Sequence, residues 1–540
     1  MPKRAAFVPP TGITLDPGAP ETLQRQIYQW IRRAILGGQL QTGQRLPSIR
    51  TLARELGVSR NTTSLAYAQL VAEGYVQSKV GQGTLVRPNI LADQLTDAPL
   101  QLRSDERKQN ARAPLATRAS SSEKSVSSRN TEVSEKALVT SSSQLVVSEA
   151  ARPSLSHATR MLLQRADLPA RGTGAPRPFR GGVGAIDVFP YKLWGQILAR
   201  RTRSTLPAVA DYQDPAGYRP LREAIATHIA LTRGVRCQPE QVIIVAGGQA
   251  GFELLAQVLL DPNDLAWVEE PGYFGSHKAL GSAGARLVPI PVGDEGLQVQ
   301  VGRAHCPHAR LAVVTPSHQC PLGMVMSLRQ RLALLQWAEQ ANAWILEDDY
   351  DSEYRYSGRP IEALQGLDSK GRVIYIGTLS KVMFPALRLG YLVAPPQLVD
   401  IVTAVQRHFQ RHVPILEQLA LTDFIQEGHF ARHIRQMRTL YKLRRDRLVE
   451  ALGRELGTRL HVRVPETGLH LVGQLPAPIS DVHIAQEAGR RGLELHPLSA
   501  CYLSPTGRQS GLVLGYAAYN EEEIRAGVHT LADIVSRLKE

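Results

Sequence analysis

Residues 376–392 read IGTLSKVMFPALRLGYL, and the character of the long C-terminal part of the chain turns on the lysine at the centre. An apolar, strand-like run ends at Thr378, and a second begins at Gly390. Between them stand Ser380 and Lys381, with Arg388 seven residues beyond the lysine. A lone lysine after a strand is usually a surface charge. A lysine that forms a Schiff base must instead be held beside an aldehyde, with the cofactor's phosphate fixed close by. Arg388 is suited to bidentate phosphate contact, and the Ser380 hydroxyl can donate to the same anion.

Upstream, ILEDDYDSE (residues 345–353) places Glu347, Asp348, Asp349 and Asp351 at the end of an apolar run. Burying them is costly without partners. One carboxylate opposite a pyridine nitrogen would keep that nitrogen protonated and make the ring an electron sink. A nearby tyrosine could hydrogen-bond a phenolic oxygen on the ring. Asp348 and Tyr350 fit these roles. A charged loop or a metal site is the alternative, and Lys381, 33 residues downstream, favours the cofactor. GGQAGFELL (247–255) reads as a glycine turn opening a helix, so Gly248, Gln249 and Ala250 would offer backbone N–H groups to a phosphate. VEEPGYFGS (268–276) sets Tyr273 after another strand, where its ring could stack on a cofactor, and TPSHQCPLG (315–323) supplies His318 and Gln319 near the same edge.

These motifs follow apolar runs (QVIIVAGG, RLAVVTPS, AWILEDDY, RVIYIGTLS, GYLVAP) that alternate with helical patterns such as LRQRLALLQWAEQAN. The alternation predicts a largely parallel sheet covered by helices. Ligands of such sheets lie at the C-terminal strand ends.

The first 90 residues are different. They hold eleven Lys and Arg against four acids, half of the chain's +14 surplus. Leu23, Ile27, Ile31 and Ile35 recur every four residues, which predicts an amphipathic helix ending at Gly37-Gly38. Pro47 is expected to open a short helix through Leu56. Ser59 is expected to cap a third helix running to Gly74, and YVQSKV-GQG-TLV reads as two strands around a turn. Helix, short turn, helix and wing make a winged helix-turn-helix. The start of the third helix would present Ser59, Arg60, Asn61, Thr62 and Thr63 to DNA, with Leu65, Ala66 and Leu70 facing inward. A helical bundle without a DNA role is the alternative.

No Phe, Trp or Tyr occurs between Tyr75 and Phe179, and the stretch contains RASSSEKSVSSRNTEVSEKALVTSSSQ. So little apolar surface cannot offset the entropy of ordering. Residues 89–176 therefore read as a disordered linker, with a short helix near Met161–Arg165, between a 1–88 unit and a 177–540 unit. An irregular but packed domain is the alternative. The four cysteines, Cys237, Cys306, Cys320 and Cys501, form no Cys-x-x-Cys pair and no zinc spacing, which suits a reduced, cytoplasmic protein without a structural metal. The N-terminus lacks a signal-peptide core, and no run reaches the length of a membrane helix.

The segment GQLQTGQRLPSIRTLARELGVSRNTTSLAYAQLVAEGYVQSKVGQGTLV resembles the winged helix of the GntR family nearly throughout. The resemblance implies that Arg45, Ser48, Arg50, Arg60, Asn61 and Thr62 contact double-stranded operator DNA and that Lys79, Gly81 and Gln82 reach the adjacent groove. From about Phe179 onward, VFPYKLWGQILARRTR, DYQDPAGYRPLREAIATHIALTRGV, EDDYDSEYRYSGRP and GTLSKVMFPALRLGY resemble fold-type I aminotransferases, and more closely the MocR subgroup of GntR regulators. The implied fold is a multidomain chain. An α+β winged helix and a linker precede an α/β aminotransferase-like domain, which has a smaller α+β subdomain from about 400 to 540.

The implied cofactor is pyridoxal 5'-phosphate. Lys381 would carry the Schiff base, Asp348 pair with the pyridine nitrogen, and Tyr350 with the phenolic oxygen. Arg388, Ser380 and the Gly248–Gln249–Ala250 turn would bind phosphate, and Tyr273 would stack on the ring. A homodimer is implied, with Tyr212 reaching the partner's phosphate.

Three features depart from that pattern. LVLGYAAY puts Val513 or a neighbour where aminotransferases carry an arginine for the substrate carboxylate. Cys320 and Leu322 replace the usual tyrosine and threonine of His-Gln-Tyr-Pro-Thr-Gly, and Phe274-Gly275 follow the Pro-Gly-Tyr tyrosine where amino-acid sensors tend to be basic. Without a fixed guanidinium, a free amino-acid carboxylate binds weakly. The expected protein is a regulator sensing the cofactor or an amine effector. A working aminotransferase fused to a DNA-binding domain, and a domain that has lost its cofactor, are the other readings.

Overall fold

The computed structural model describes residues 15–16, 23–36, 39–41, 43–72, 75–79, 83–86, 159, 176–204, 207–356 and 361–537. Nearly all of the stretch read as a linker, including the helix expected near Met161–Arg165, lies outside the described residues, as do Gly37, Gly38 and Gly74. Among the described residues no helix is long and apolar enough to cross a membrane.

The N-terminal unit consists of α1 (Leu23–Leu36), α2 (Ile49–Glu55) and α3 (Arg60–Ala72), followed by β1 (Val76–Lys79) and β2 (Gly83–Val86). β1 and β2 pair antiparallel, with Val76 opposite Val86 and Lys79 opposite Gly83. The four-residue stripe of α1 delivers Ile27, Ile31 and Ile35 to a core shared with Leu52, Ala66, Leu70, Val76 and Val86. Pro47 stands before α2 rather than opening it. Ser48 is the cap, and its side chain accepts from the Thr51 N–H. The Pro47 carbonyl accepts from the Tyr67 hydroxyl at 2.8 Å, which fixes α3 to the turn before α2.

The C-terminal unit is built on an eight-stranded sheet. Its strands are β3 (Val242–Val245), β4 (Leu265–Glu270), β5 (Arg286–Gly293), β6 (Gly296–Leu297), β7 (Leu311–Val314), β8 (Trp344–Asp349), β9 (Val373–Thr378) and β10 (Gly390–Val393). They lie in the order β3-β10-β9-β8-β7-β4-β5-β6. The middle of the sheet is parallel, as the alternation predicted. Its flanks are not: β10 runs antiparallel to both β3 and β9, and β6 antiparallel to β5. The connection from β9 to β10 holds only the 3-10 turn Pro385–Leu387, too short for the helical crossover that parallel strands need. Helices cover both faces over cores built from Leu221, Ile225 and Tyr391, from Phe252, Leu346 and Ile376, and from Trp267, Leu334 and Trp337.

A second, wholly antiparallel sheet holds β11 (His461–Arg463), β12 (His470–Gln474), β13 (His496–Pro497) and β14 (Gly511–Gly515) in the order β11-β12-β14-β13. The 27-residue helix His429–Glu455 and the helices Asp481–Arg490 and Glu521–Arg537 pack on it around Leu448, Leu471, Leu514 and Leu531. The first described residues of this unit join the same layer. Phe179 is fully buried and bridges Gly515, the Pro178 carbonyl accepts from the Glu494 N–H, and Arg180 pairs with Glu494 at 2.6 Å.

Candidate cofactor site and nucleic-acid interface

The four acids at the end of β8 are all buried, and each has a different surrounding. Glu347 accepts from the backbone N–H groups of Leu364 and Gln365, both at 2.8 Å. Burial still pushes it up to about 7. Asp349 would also be raised by burial, but Arg233, at 2.7 Å, and the Tyr375 hydroxyl, at 2.5 Å, hold it below the usual carboxylate range. Asp351 faces His318, whose Nδ1 lies 3.0 Å from both carboxylate oxygens. Asp348 has no hydrogen-bond partner among the described residues. Burial, then the charges of Asp349, Glu269 and Asp351, push it up to about 8, and Lys381 pulls the other way. A carboxylate in this state lacks a cation, and a pyridinium nitrogen is the kind of group that would supply one.

At the neighbouring strand ends lies a cradle suited to an anion. β3 runs into Gly247, whose φ of +90° belongs to the left-handed region. Gly247 is the cap residue of helix Gly248–Leu259 and has no side chain to close it. The Gly251 N–H is the first to bond back, to the Gly247 carbonyl, so the N–H groups of Gly248, Gln249 and Ala250 stand in the open first turn. Arg388 swings over this turn. It too has a left-handed backbone, at φ 51°, and its guanidinium donates to the Ala246 carbonyl at 3.0 Å. A Cβ on Gly247 would lie 3.3 Å from that guanidinium. The Ser380 hydroxyl is buried without a partner. An orphaned hydroxyl, open N–H groups and a guanidinium held by backbone strain make a donor set that fits a phosphate.

Lys381 is half-buried and donates to the Gly182 carbonyl at 2.6 Å. Tyr350 turns its hydroxyl to within 2.9 Å of His318 Nδ1. Tyr273 caps helix Phe274–Ser282, and its ring lies where a Cβ on Gly275 would sit, 2.4 Å from the nearest ring atom. Gln249 ties this loop to the open helix start through the Gly275 carbonyl, at 3.2 Å. Tyr212 stands apart. It is 72% exposed, with Arg411 over its ring at 4.9 Å and His412 at its edge.

Val513 is buried on β14 among Val472 and Leu498, with Leu322 and Tyr502 packed against them. β12 pairs Val472 with Val513, and His470, two residues earlier on the same face, contacts the His318 ring at 5.5 Å between centroids. This sheet face therefore meets the loop of His318. His470 is pushed down to about 4 by burial first and by His318 second, so it is neutral at pH 7.

In the N-terminal unit, Arg45, Ser48, Arg50, Ser59, Arg60 and Asn61 are exposed and Thr62 is half-buried. The Ser59 hydroxyl accepts from the Thr62 N–H at 3.0 Å, as expected of a cap. Arg45 lies across the wing, its Nε 2.8 Å from where a Cβ on Gly83 would be. Lys79 ends β1, but its side chain, like Gly81 and Gln82, lies outside the described residues. Two expectations reverse. Thr63 is fully buried and Leu65 is 46% exposed. The helix phase decides this: Thr63, Ala66, Tyr67 and Leu70 form the inward stripe, and Leu65 falls between.

Sequence reading passed over Asp351, Glu269, Thr315 and Gly182. Glu269, raised to about 7 by burial, accepts from the Thr315 backbone and hydroxyl and from Gln319. Its signal was present in VEEPGYFGS, where two acids end an apolar strand.

Comparisons with known proteins bear on the family and the fold. The model for bacterial regulatory proteins of the gntR family matches residues 23–86, and that for aminotransferase class I and II matches residues 194–531. The chain is 39% identical over 523 residues to a probable rhizopine catabolism regulatory protein, MocR, of Rhizobium meliloti, covering 96% of this chain and 95% of that one. It is 29% identical to the pyridoxine biosynthesis transcriptional regulator PdxR of Corynebacterium glutamicum, covering 97% and 98%. Among solved structures, kynurenine aminotransferase of Pyrococcus horikoshii superposes with a TM-score of 0.63 at 25% identity, over 73% of this chain and 98% of that one. The chain thus belongs to the GntR family, in its MocR-type group, and is a transcriptional regulator whose helix-turn-helix is joined to a domain of the fold-type I aminotransferase fold.

Proposed function

We propose that the C-terminal domain binds pyridoxal 5'-phosphate through Lys381 and that the regulator senses the cofactor, or an amine condensed with it. The observation that carries this is Asp348, a buried acid raised to about 8, at the strand edge that also holds Lys381 and the open phosphate cradle. When bound, the cofactor would supply an electrophilic carbon for amines and an electron-withdrawing ring. The residues have separate tasks. Asp348 holds a proton on the ring nitrogen, Tyr350 bonds the phenolic oxygen, and Tyr273 covers the ring face. Ser380, Arg388 and the N–H groups of Gly248, Gln249 and Ala250 hold the phosphate. Val513 packs among Val472, Leu498, Leu322 and Tyr502, an apolar set at the place expected of a carboxylate-binding arginine, which favours an amine effector or the cofactor itself over amino-acid transamination.

Two copies are proposed to act together, with Tyr212 of each offered to the other's phosphate, and the exposure of that ring suits the role. On the DNA side, Arg45, Ser48, Arg50, Ser59, Arg60, Asn61 and Thr62 are proposed to meet operator bases and phosphates, with Lys79, Gly81 and Gln82 in the neighbouring groove. The site of action is cytoplasmic.

The test is the visible absorption spectrum of the purified protein with stoichiometric pyridoxal phosphate, before and after a panel of amines and amino acids, with Lys381→Ala as control. Wild type is expected to develop a Schiff-base band that the variant lacks. A band missing from wild type, or intact in the variant, removes the assignment. Loss of the band with keto-acid release would instead make the protein a working aminotransferase.

A further inference from the structure

The geometry points to His318 as the residue that orients the Tyr350 hydroxyl toward the cofactor, an inference that rests on the proposed binding of pyridoxal phosphate. His318 is almost wholly buried, as is Asp351. One ring atom, Nδ1, is close to three oxygens: both carboxylate oxygens of Asp351 at 3.0 Å and the Tyr350 hydroxyl at 2.9 Å. An ionised carboxylate only accepts hydrogen bonds, so Nδ1 must carry a hydrogen toward Asp351. A nitrogen that carries a hydrogen has no lone pair in the ring plane to accept another. The Tyr350 hydroxyl therefore cannot donate to His318. It can only receive part of the Nδ1–H, and its own hydrogen must point elsewhere. With pyridoxal phosphate bound, its phenolic oxygen would be an acceptor for that hydrogen.

The imidazole is built into place. A Cβ on Gly468, at φ +95°, would fall 2.1 Å from His318 Cε1, and one on Gly323, at φ +81°, would fall 3.2 Å from Nε2. Glycine at both positions leaves room for the ring. The Gly468 carbonyl is held by the Tyr356 and Tyr516 hydroxyls. Nε2 is buried without a hydrogen-bond partner. The ring is thus held by shape on one edge and by Asp351 on the other, and a flip would set the Cδ2 carbon against the carboxylate and leave Nδ1 without that partner. His318 is a positioning residue acting through Tyr350.

The readout is the pH at which the visible band of the loaded, full-length protein changes. A hydrogen bond donated to the phenolic oxygen favours its anionic form, so losing that bond raises this midpoint. His318→Ala is expected to raise it by about one pH unit, the size of one hydrogen bond to a charged group. Asp351→Asn should shift it in the same direction. His318→Asn, whose amide N–H can stand in for Nδ1–H, should stay near wild type. In a Tyr350→Phe background, His318→Ala should add nothing. The other ionisable groups around Tyr350 and His318 are Asp348, Glu269, Cys320, His470 and Lys381. All are retained in every variant, so differences between variants isolate the His318 contribution.

A shift that persists in the Tyr350→Phe background, or a loaded His318→Ala with an unmoved midpoint, overturns the inference. Should His318→Ala fail to fold or load, Asp351→Asn decides alone, and an unmoved midpoint there also overturns it. A wild-type protein with no visible band would sink the cofactor reading itself, a separate outcome.

Discussion

Two helix starts in this chain are each expected to meet phosphate, and they are built in opposite ways. At α3, the Ser59 hydroxyl closes the first turn by accepting from the Thr62 N–H. At helix Gly248–Leu259, the cap is Gly247, which has nothing to close the turn with, and a guanidinium waits beside it. The first helix satisfies one of its open donors with its own cap. The second leaves donors open, and such donors are best satisfied by an anion. The contrast separates a helix start with a side-chain cap from one whose donors are left open to a ligand.

Breaking the second start should have the larger effect. Arg388→Ala removes charge-assisted hydrogen bonds worth roughly 1.5–3 kcal/mol each. It should weaken pyridoxal phosphate binding on the order of a hundredfold, read by titrating the visible band. Binding as tight as wild type would mean that the open turn is not the phosphate seat. The DNA-facing start should respond less. Arg60→Ala is expected to cost about 1–3 kcal/mol of operator affinity and, where the contact is to phosphate, to lower the salt slope by about one. Gel-shift titrations across a salt series would measure both, and identical curves would move the recognition surface away from α3. The smallest effect tests the cap alone. Ser59→Ala should cost about 1 kcal/mol and appear as faster amide hydrogen exchange over Arg60–Thr63, with the cofactor band untouched.

What the sequence disclosed follows from how local each feature is. Lys381, Ser380 and Arg388 share one short loop, and the acids of β8 follow one another, so motif spacing exposed them. The reason Arg388 reaches the helix start was hidden, because a left-handed backbone at a non-glycine residue leaves no compositional trace. Contacts across long stretches of chain were equally invisible. Gly182 meets Lys381 from 199 residues away, and Asp351 selects His318 from 33 residues away. The exchange of Thr63 and Leu65 arose from reading polarity before phase. Once Ser59 is the cap, the turn of α3 fixes which side each residue takes, and a hydroxyl goes inward while a leucine does not. The antiparallel β10 could have been foreseen from the shortness of its connection.

The entry of the chain into its C-terminal unit has a mechanical consequence. Residues 178–180 are stitched to the small sheet, through Phe179 to Gly515 and through Pro178 and Arg180 to Glu494. The polypeptide that leads back to the DNA-binding unit is therefore moored on the layer carrying His470, Val472 and Val513, and two residues further on its Gly182 carbonyl accepts from Lys381. A tilt of this layer would move residues 178–180 with it, so the start of the C-terminal unit would follow any shift of the sheet that carries Val513.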